Sequence, residues 1–213
     1  MLIFFEKKTE GSRMAEGTDR RKKRTRQLLR KALLDLIEER GLDRITVRDL
    51  TERAEINRGT FYLHYRDVPD LMEQLKQEIF EGLTQVAVKL QPSELQKHAE
   101  QDLVYPPMVQ LLSYFKSNGD FFHVMFGPNG DFGFPMQIKA FMKERLYLHL
   151  FDDLPEDASA PVPRDYLIAF IASANIGLLT HWIQSGMDLP VEEVALILAR
   201  ILHRGPLAVS AFS

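Results

Sequence analysis

The stretch NRGTFYLHYRD, Asn57 to Asp67, decides how this chain folds. By propensity alone, Phe61, Tyr62, Leu63 and Tyr65 favour a strand. The sequence on either side has helical spacing, however, and Asn57 suits a helix N-cap, because its side-chain oxygen can accept from an amide of the first turn. With Asn57 as cap, Phe61 and Tyr65 lie four apart on one face and can pack inward, while Thr60, Tyr62 and His64 project away from it. The run is then amphipathic at period 3.6 rather than 2. A helix of about seven residues, roughly 10 Å long, fits a DNA major groove, and its outward donors suit phosphates and base edges.

Upstream, ITVRDLTERAEIN predicts a second short helix of about nine residues, with Thr46 and Asp49 forming a capping box and Val47, Leu50 and Ala54 on one apolar face. Before that, DRRKKRTRQLLRKALLDLIEERG carries Leu28, Leu29, Ala32, Leu33, Leu36 and Ile37 at helical spacing, and Gly41 stands where a C-terminal cap belongs. Two short helices joined by a tight turn, the second opening with Asn-Arg-Gly-Thr, read as a helix-turn-helix whose recognition helix spans residues 57–65.

The segment ITVRDLTERAEINRGTFYLHYRDVPDL resembles the DNA-binding domain of the TetR/AcrR transcriptional regulators over about residues 20–75. That family's pattern is a Thr-led second helix followed by a third helix reading T-[FL]-Y-x-H-[FY]. The resemblance implies DNA contacts from Thr46, Thr60, Tyr62 and His64, and places Arg48 and Arg58 where bases are often faced. Glu55 stands where the family commonly has Gly in the turn. Val68-Pro69 replaces a frequent Lys-Glu, which removes a phosphate-contacting lysine. Adding the basic arm, the expected DNA-contacting set is Arg20, Lys22, Lys23, Arg24, Thr46, Val47, Arg48, Asn57, Arg58, Gly59, Thr60, Tyr62 and His64. Tyr62 has a competing reading as a core aromatic, although Phe61 and Tyr65 already fill the inward face.

Charge is divided along the chain. Residues 13–66 hold 15 Lys/Arg against 9 Asp/Glu, whereas residues 67–213 hold 10 against 19. A basic head on an acidic body suits a small module for a polyanion attached to a larger domain with another task. The run RRKKRTR, Arg20 to Arg26, would give salt-dependent, sequence-independent affinity; by itself such a run is as often a solvated helix face.

The predicted domains are therefore a disordered extension over residues 1–15, a helix-turn-helix head over 16–66 and a helical body over 67–213. A fourth helix starts at Asp67, tolerates Pro69 in its first turn and runs to about Gln91. Periodicity resumes over 107–117, in one or two turns within SNGDFFHVMFGPNGDFGF, and over 134–151; DDLPEDASAPVP reads as a loop. The segment DYLIAFIASANIGLLTHWIQSG lacks charge after Asp165, but Asn175, Thr180, His181 and Gln184 interrupt it, so it reads as a helix buried on nearly all sides rather than a membrane span. The last helix, PVEEVALILARILHR, opens with Pro190 and two Glu and closes with cations, in accord with the helix dipole. Two such apolar helices suggest a homodimer core in which each subunit gives two helices to a four-helix bundle, through Ala169, Ala172, Ser173, Gly177, Val194, Leu198 and Ile201. The resemblance implies the same arrangement.

Residues 105–151 hold 11 of the 21 aromatics and 4 of the 8 methionines. Such density suits a roomy apolar pocket for a small apolar or aromatic effector, with Tyr114, Phe121, Met125, Phe126, Phe141, Asn175, His181 and Trp182 as candidate liners; it equally suits an ordinary helical core. No metal or other cofactor is expected. The six histidines include no pair three or four apart, there is no cysteine, and GPNGDFG lacks the Lys-Ser/Thr of a phosphate loop. The opening MLIFFEKK fails as a secretory signal because its lysines follow a short apolar run. The sequence thus predicts an all-α, cytoplasmic, non-enzymatic regulator that binds a palindromic operator as a homodimer and is released by a small-molecule effector. The alternatives are an activator on the same scaffold working with a protein coregulator and, more remotely, a small α-helical enzyme.

Overall fold

The computed structural model describes residues 6–144 and 162–205, and over these the chain is all-α. Ten helices follow one another: α1 Glu6–Arg40, α2 Val47–Arg53, α3 Arg58–Tyr62, α4 Val68–Ala87, α5 Pro92–Glu100, α6 Pro106–Ser117, α7 Gly119–Met125, α8 Phe134–Met142, α9 Arg164–Gln184 and α10 Val191–Arg204. A single 3-10 turn, Leu42–Arg44, joins the first two. The chain divides into two compact units within α4, between Lys76 and Gln77. The expected boundary at Arg66 marks instead the turn that precedes α4.

In the first unit, helix α1 begins at Glu6, within the extension expected to be disordered; residues 1–5 lie outside the described residues. Leu29, Leu33 and Ile37 of α1 are fully buried, as are Leu50, Phe61 and Leu71 of the helices that follow, and α2 packs on both α1 and α3. Helix α1 stops at Gly41, which takes a left-handed φ of 81° while its amide donates to the Ile37 carbonyl at 2.8 Å.

The second unit has a phenylalanine core. The rings of Phe121, Phe122 and Phe134, all fully buried, contact one another and reach Phe115, Phe126 and Phe80, with Phe115 and Phe122 only 4.5 Å apart. Each such pair adds about 0.5–1.5 kcal/mol beyond the area it buries. Met125 is buried with them, and Phe141 is half-buried beside Phe80 at 5.7 Å. Trp182 is buried, and its indole N–H donates to the Leu189 carbonyl at 3.1 Å. Gly130 closes the loop after α7 by lying against the carbonyls of Val124 and Met125, where no side chain would fit; the glycines of GPNGDFG serve this helix connection. Helix α5 was not predicted. Its apolar positions Leu95 and Ala99 give a single short pair, too little for periodicity to register. It packs on α10, as does α6, and the Arg200 guanidinium of α10 grips Asp102 at 2.7 and 2.8 Å.

Helix α9 departs from expectation. It is long and apolar enough to cross a membrane by length and composition, yet only 28% of that window is buried. Ile168, Ala172, Leu179, Trp182 and Ile183 face inward, while Tyr166, Ala169, Phe170, Ser173, Ala174, Gly177 and His181 form an exposed stripe. The prediction of burial on nearly all sides is therefore wrong for the single chain, because composition registers apolarity and not what covers it. Three residues expected between subunits also lie within the chain's own core. Ala172 packs with Ile168, Met142 and Ile171, and Val194 and Leu198 occupy the buried face of α10, whose helix packs on α5 and α6. Ile201 is half-buried; only Ala169, Ser173 and Gly177 of that set are exposed. His181, proposed as a pocket liner, lies on the exposed stripe, and Asn175 is half-buried.

Candidate nucleic-acid interface

The head is held by short-range polar contacts that set two brief helices at a fixed turn. Thr46 caps α2: its hydroxyl accepts from the Asp49 amide at 3.3 Å and donates to the Asp49 carboxylate at 2.6 Å, while the Thr46 amide donates to the same carboxylate at 2.8 Å. Arg40 adds an ion pair to Asp49 at 2.9 Å. The Thr46 hydroxyl and then the Arg40 guanidinium hold the Asp49 carboxyl down to a pKa of about 2. A second link between α1 and α2 is bidentate, Arg53 donating twice to Glu39 at 2.8 Å.

Helix α2 ends in a Schellman turn. The Ile56 amide donates to Thr51 at 3.0 Å and the Glu55 amide to Glu52 at 3.3 Å, with Glu55 in the left-handed region at φ 53°. The position where the resembled family commonly has glycine thus adopts the conformation that favours glycine. Asn57 then caps α3, its side chain accepting from the Gly59 amide at 3.3 Å. Phe61 and Tyr65 are buried, as the 3.6 period requires. The regular part of α3 has five residues, shorter than expected, but the Tyr65 amide still bonds to the Phe61 carbonyl and carries the turn through His64. After it, the Asp67 carboxylate caps α4 by accepting from the Asp70 amide at 2.8 Å, the Asp70 carboxylate accepts from the Arg66 amide at 2.8 Å, Pro69 sits in the first turn, and Val68 is buried where a phosphate-contacting lysine is missing.

These contacts determine what faces solvent. Arg20, Lys22, Lys23 and Arg24 of α1 are exposed, as are Thr46, Arg48, Asn57, Arg58, Gly59 and Tyr62, while Val47, Thr60 and His64 are half-buried. Tyr62 is 54% exposed and so is not a core residue. Arg48 is engaged with Glu52 on its own helix at 2.7 Å. His64 lies close enough to Arg26 and Lys22 for their charges to act on it: burial first, then those two cations, lower its pKa below the ordinary value. The charges of Lys22 and Arg26 in the basic run of α1 are thus within electrostatic reach of the C-terminal turn of α3. Sequence reasoning missed Leu63, which is 82% exposed at the end of α3.

A small α-helical head of this form, with a capped second helix, a left-handed turn and a short third helix bearing exposed Arg, Tyr and His beside a basic helix, defines a helix-turn-helix regulator. Residues 29–75 match the model for bacterial regulatory proteins of the tetR family, and residues 102–204 match a transcriptional regulator C-terminal region of the same family. The chain belongs to the TetR family of DNA-binding transcriptional regulators, which are not enzymes. It is 34% identical over 201 residues to the uncharacterized HTH-type transcriptional regulator YxbF of Bacillus subtilis (strain 168), an alignment that spans 90% of this chain and 48% of that protein. The chain thus spans about half the length of the curated relative it matches. Among solved structures it is similar to a TetR regulator from Streptococcus agalactiae 2603V, with a TM-score of 0.59 and 22% identity over 88% of this chain and 98% of that one. The fatty acid degradation regulator FadR from Bacillus halodurans has a similar fold, with a TM-score of 0.55 and 14% identity over 85% and 96% of the two chains.

Proposed function

We propose that the chain is a cytoplasmic homodimeric repressor that binds a palindromic operator and is released by a small apolar or aromatic effector in its C-terminal unit. The observation that carries the DNA reading is the exposure of the α1 cations Arg20, Lys22, Lys23 and Arg24 together with that of Asn57, Arg58 and Tyr62 on α3, with His64 in electrostatic reach of Lys22 and Arg26. Lysines and arginines of α1 hold phosphates and release counterions, while Arg58, Asn57, Thr60 and Tyr62 meet base edges. Arg48 reads bases after exchanging Glu52 for DNA, and Thr46, Val47 and Gly59 set how closely the backbone approaches.

The exposed stripe of α9 supports the dimer. Tyr166 and Phe170, 69% and 60% exposed, flank small residues that let a second copy of the helix approach closely, and an isologous pairing through this face doubles the heads. An inverted repeat follows from that symmetry, and occupancy near a promoter excludes polymerase. An effector seated beside Tyr114, Phe126, Phe141 and Asn175, among the core aromatics, favours a dimer whose heads fit the two half-sites poorly, and so releases DNA by population shift.

Selection from a random double-stranded DNA pool near physiological salt, followed by affinity titration of the winner, tests this reading. An inverted repeat bound about 10³-fold or more over random DNA is expected. Arg58→Ala should relax the preference, whereas Lys22→Ala should weaken all sequences alike and reduce the salt slope by about 0.9. Recovery of no motif would overturn the proposal.

A further inference from the structure

The reading helix ends on an apolar side chain that faces solvent. Leu63 is 82% exposed, more than Tyr62 beside it, and it points opposite to the buried face of Phe61 and Tyr65. Leu63 stands four residues beyond Gly59, one turn further along the same side of the helix. The turn at Gly59 is bare: Gly59 brings no side chain, and the space its Cβ would enter is open, with only Asn57 Oδ1 at 4.0 Å. The result is a small apolar step with unobstructed backbone beside it.

The surroundings decide what can cover such a step. Lys22 and Arg26 act on neighbouring His64, and Arg58 opens the same helix. An apolar protein partner would have to strip water from these cations, whereas DNA neutralises them with phosphates while presenting base edges to the helix. Among the groups that base pairs offer in the major groove, the apolar one is the C5-methyl of thymine. We propose that Leu63 is a specificity-determining residue that reads thymine by packing its methyl groups against that C5-methyl. The proposal rests on the DNA-binding reading above, and it assigns a base preference to a residue outside the polar set.

The test begins with the selected motif and replaces each thymine in turn by uracil, which removes only the methyl. For the unaltered full chain, one thymine in each half-site of the motif should cost about fourfold in affinity on replacement, ~0.8 kcal/mol for one methyl-sized apolar contact. Leu63→Ala should bind the thymine and uracil forms of that site equally, and Leu63→Met should retain part of the difference. Far-UV circular dichroism and melting should be unchanged in both variants, since Leu63 is exposed. An equal thymine-to-uracil penalty in the unaltered chain and in Leu63→Ala would overturn the proposal, as would a motif with no sensitive thymine. Failure to enrich any motif would overturn the DNA-binding reading along with it, which separates the two failures.

Discussion

The phenol of Tyr114 lies across Gly82, and its hydroxyl donates to the carbonyl of Ile79 at 3.1 Å. A Cβ at position 82 would overlap the far end of that ring. This explains a glycine inside α4, where it costs about 1 kcal/mol relative to alanine. Gly82→Ala gains that propensity but must displace the ring and its hydrogen bond, so a net loss of about 0–2 kcal/mol is expected. Tyr114→Phe should cost about 1 kcal/mol. Paired thermal or urea unfolding of the single and double variants checks both, and independent, additive effects would refute the coupling.

The depressed pKa of Asp49 makes the head acid-sensitive. Its carboxyl falls from 3.8 to about 2 on folding, so its contribution is present above the unfolded value and disappears as pH drops from about 4 to about 2. Asp49→Asn should destabilise the head at neutral pH and flatten its stability profile in that window. Melting followed by circular dichroism from pH 2 to pH 7 measures this.

His64 links DNA binding to pH. In the free chain, burial and the charges of Arg26 and Lys22 keep its pKa below the ordinary 6.5, so it is mainly neutral near pH 7. Phosphates placed against those cations raise the pKa, and binding takes up a proton. Affinity should therefore rise as pH falls through the region of that pKa, and His64→Gln should remove this dependence. Titrations at constant ionic strength between pH 5.5 and pH 8 provide the comparison, at values that bracket the unperturbed histidine pKa of about 6.5.

Glu55 holds a left-handed backbone without being glycine. A non-glycine residue there costs about 1–2 kcal/mol, partly offset by the greater freedom that glycine loses on folding. Glu55→Gly should stabilise the head by about 0.5–1 kcal/mol, read as a higher urea midpoint at unchanged slope.

The uncovered face of α9 should govern assembly. Phe170→Glu places a charge in the centre of that stripe without touching the chain's own core, and sedimentation should then report a monomer that keeps its helical signal. Persistence of the dimer would move the interface elsewhere.

The polar caps were the most legible part of the chain. Thr46 with Asp49, and Asn57 before Gly59, announce themselves because capping is local chemistry between residues two or three apart. The inward pair Phe61 and Tyr65 was legible for the same reason, since four-residue spacing alone places them together. Helix α5 was not, because nine residues with one apolar pair carry no period. The two faces of α9 could not be told apart either, because both are apolar and only packing against α7 and α8 decides which one is buried. Leu63 was overlooked although the 3.6 period that sends Phe61 and Tyr65 inward sends it outward; a leucine attracts attention as core, and its 82% exposure in the structure separates it from Leu50 and Leu71.

The capping box of α2 has one more consequence. The carboxylate of Asp49 already occupies the start of that helix, where unpaired amides would otherwise welcome an outside anion. A DNA phosphate arriving there meets like charge instead of a socket. On the DNA-binding reading, the duplex is then held at this helix end by side chains rather than by the two amides that the capping box already engages, a grip with more give than a rigid backbone socket.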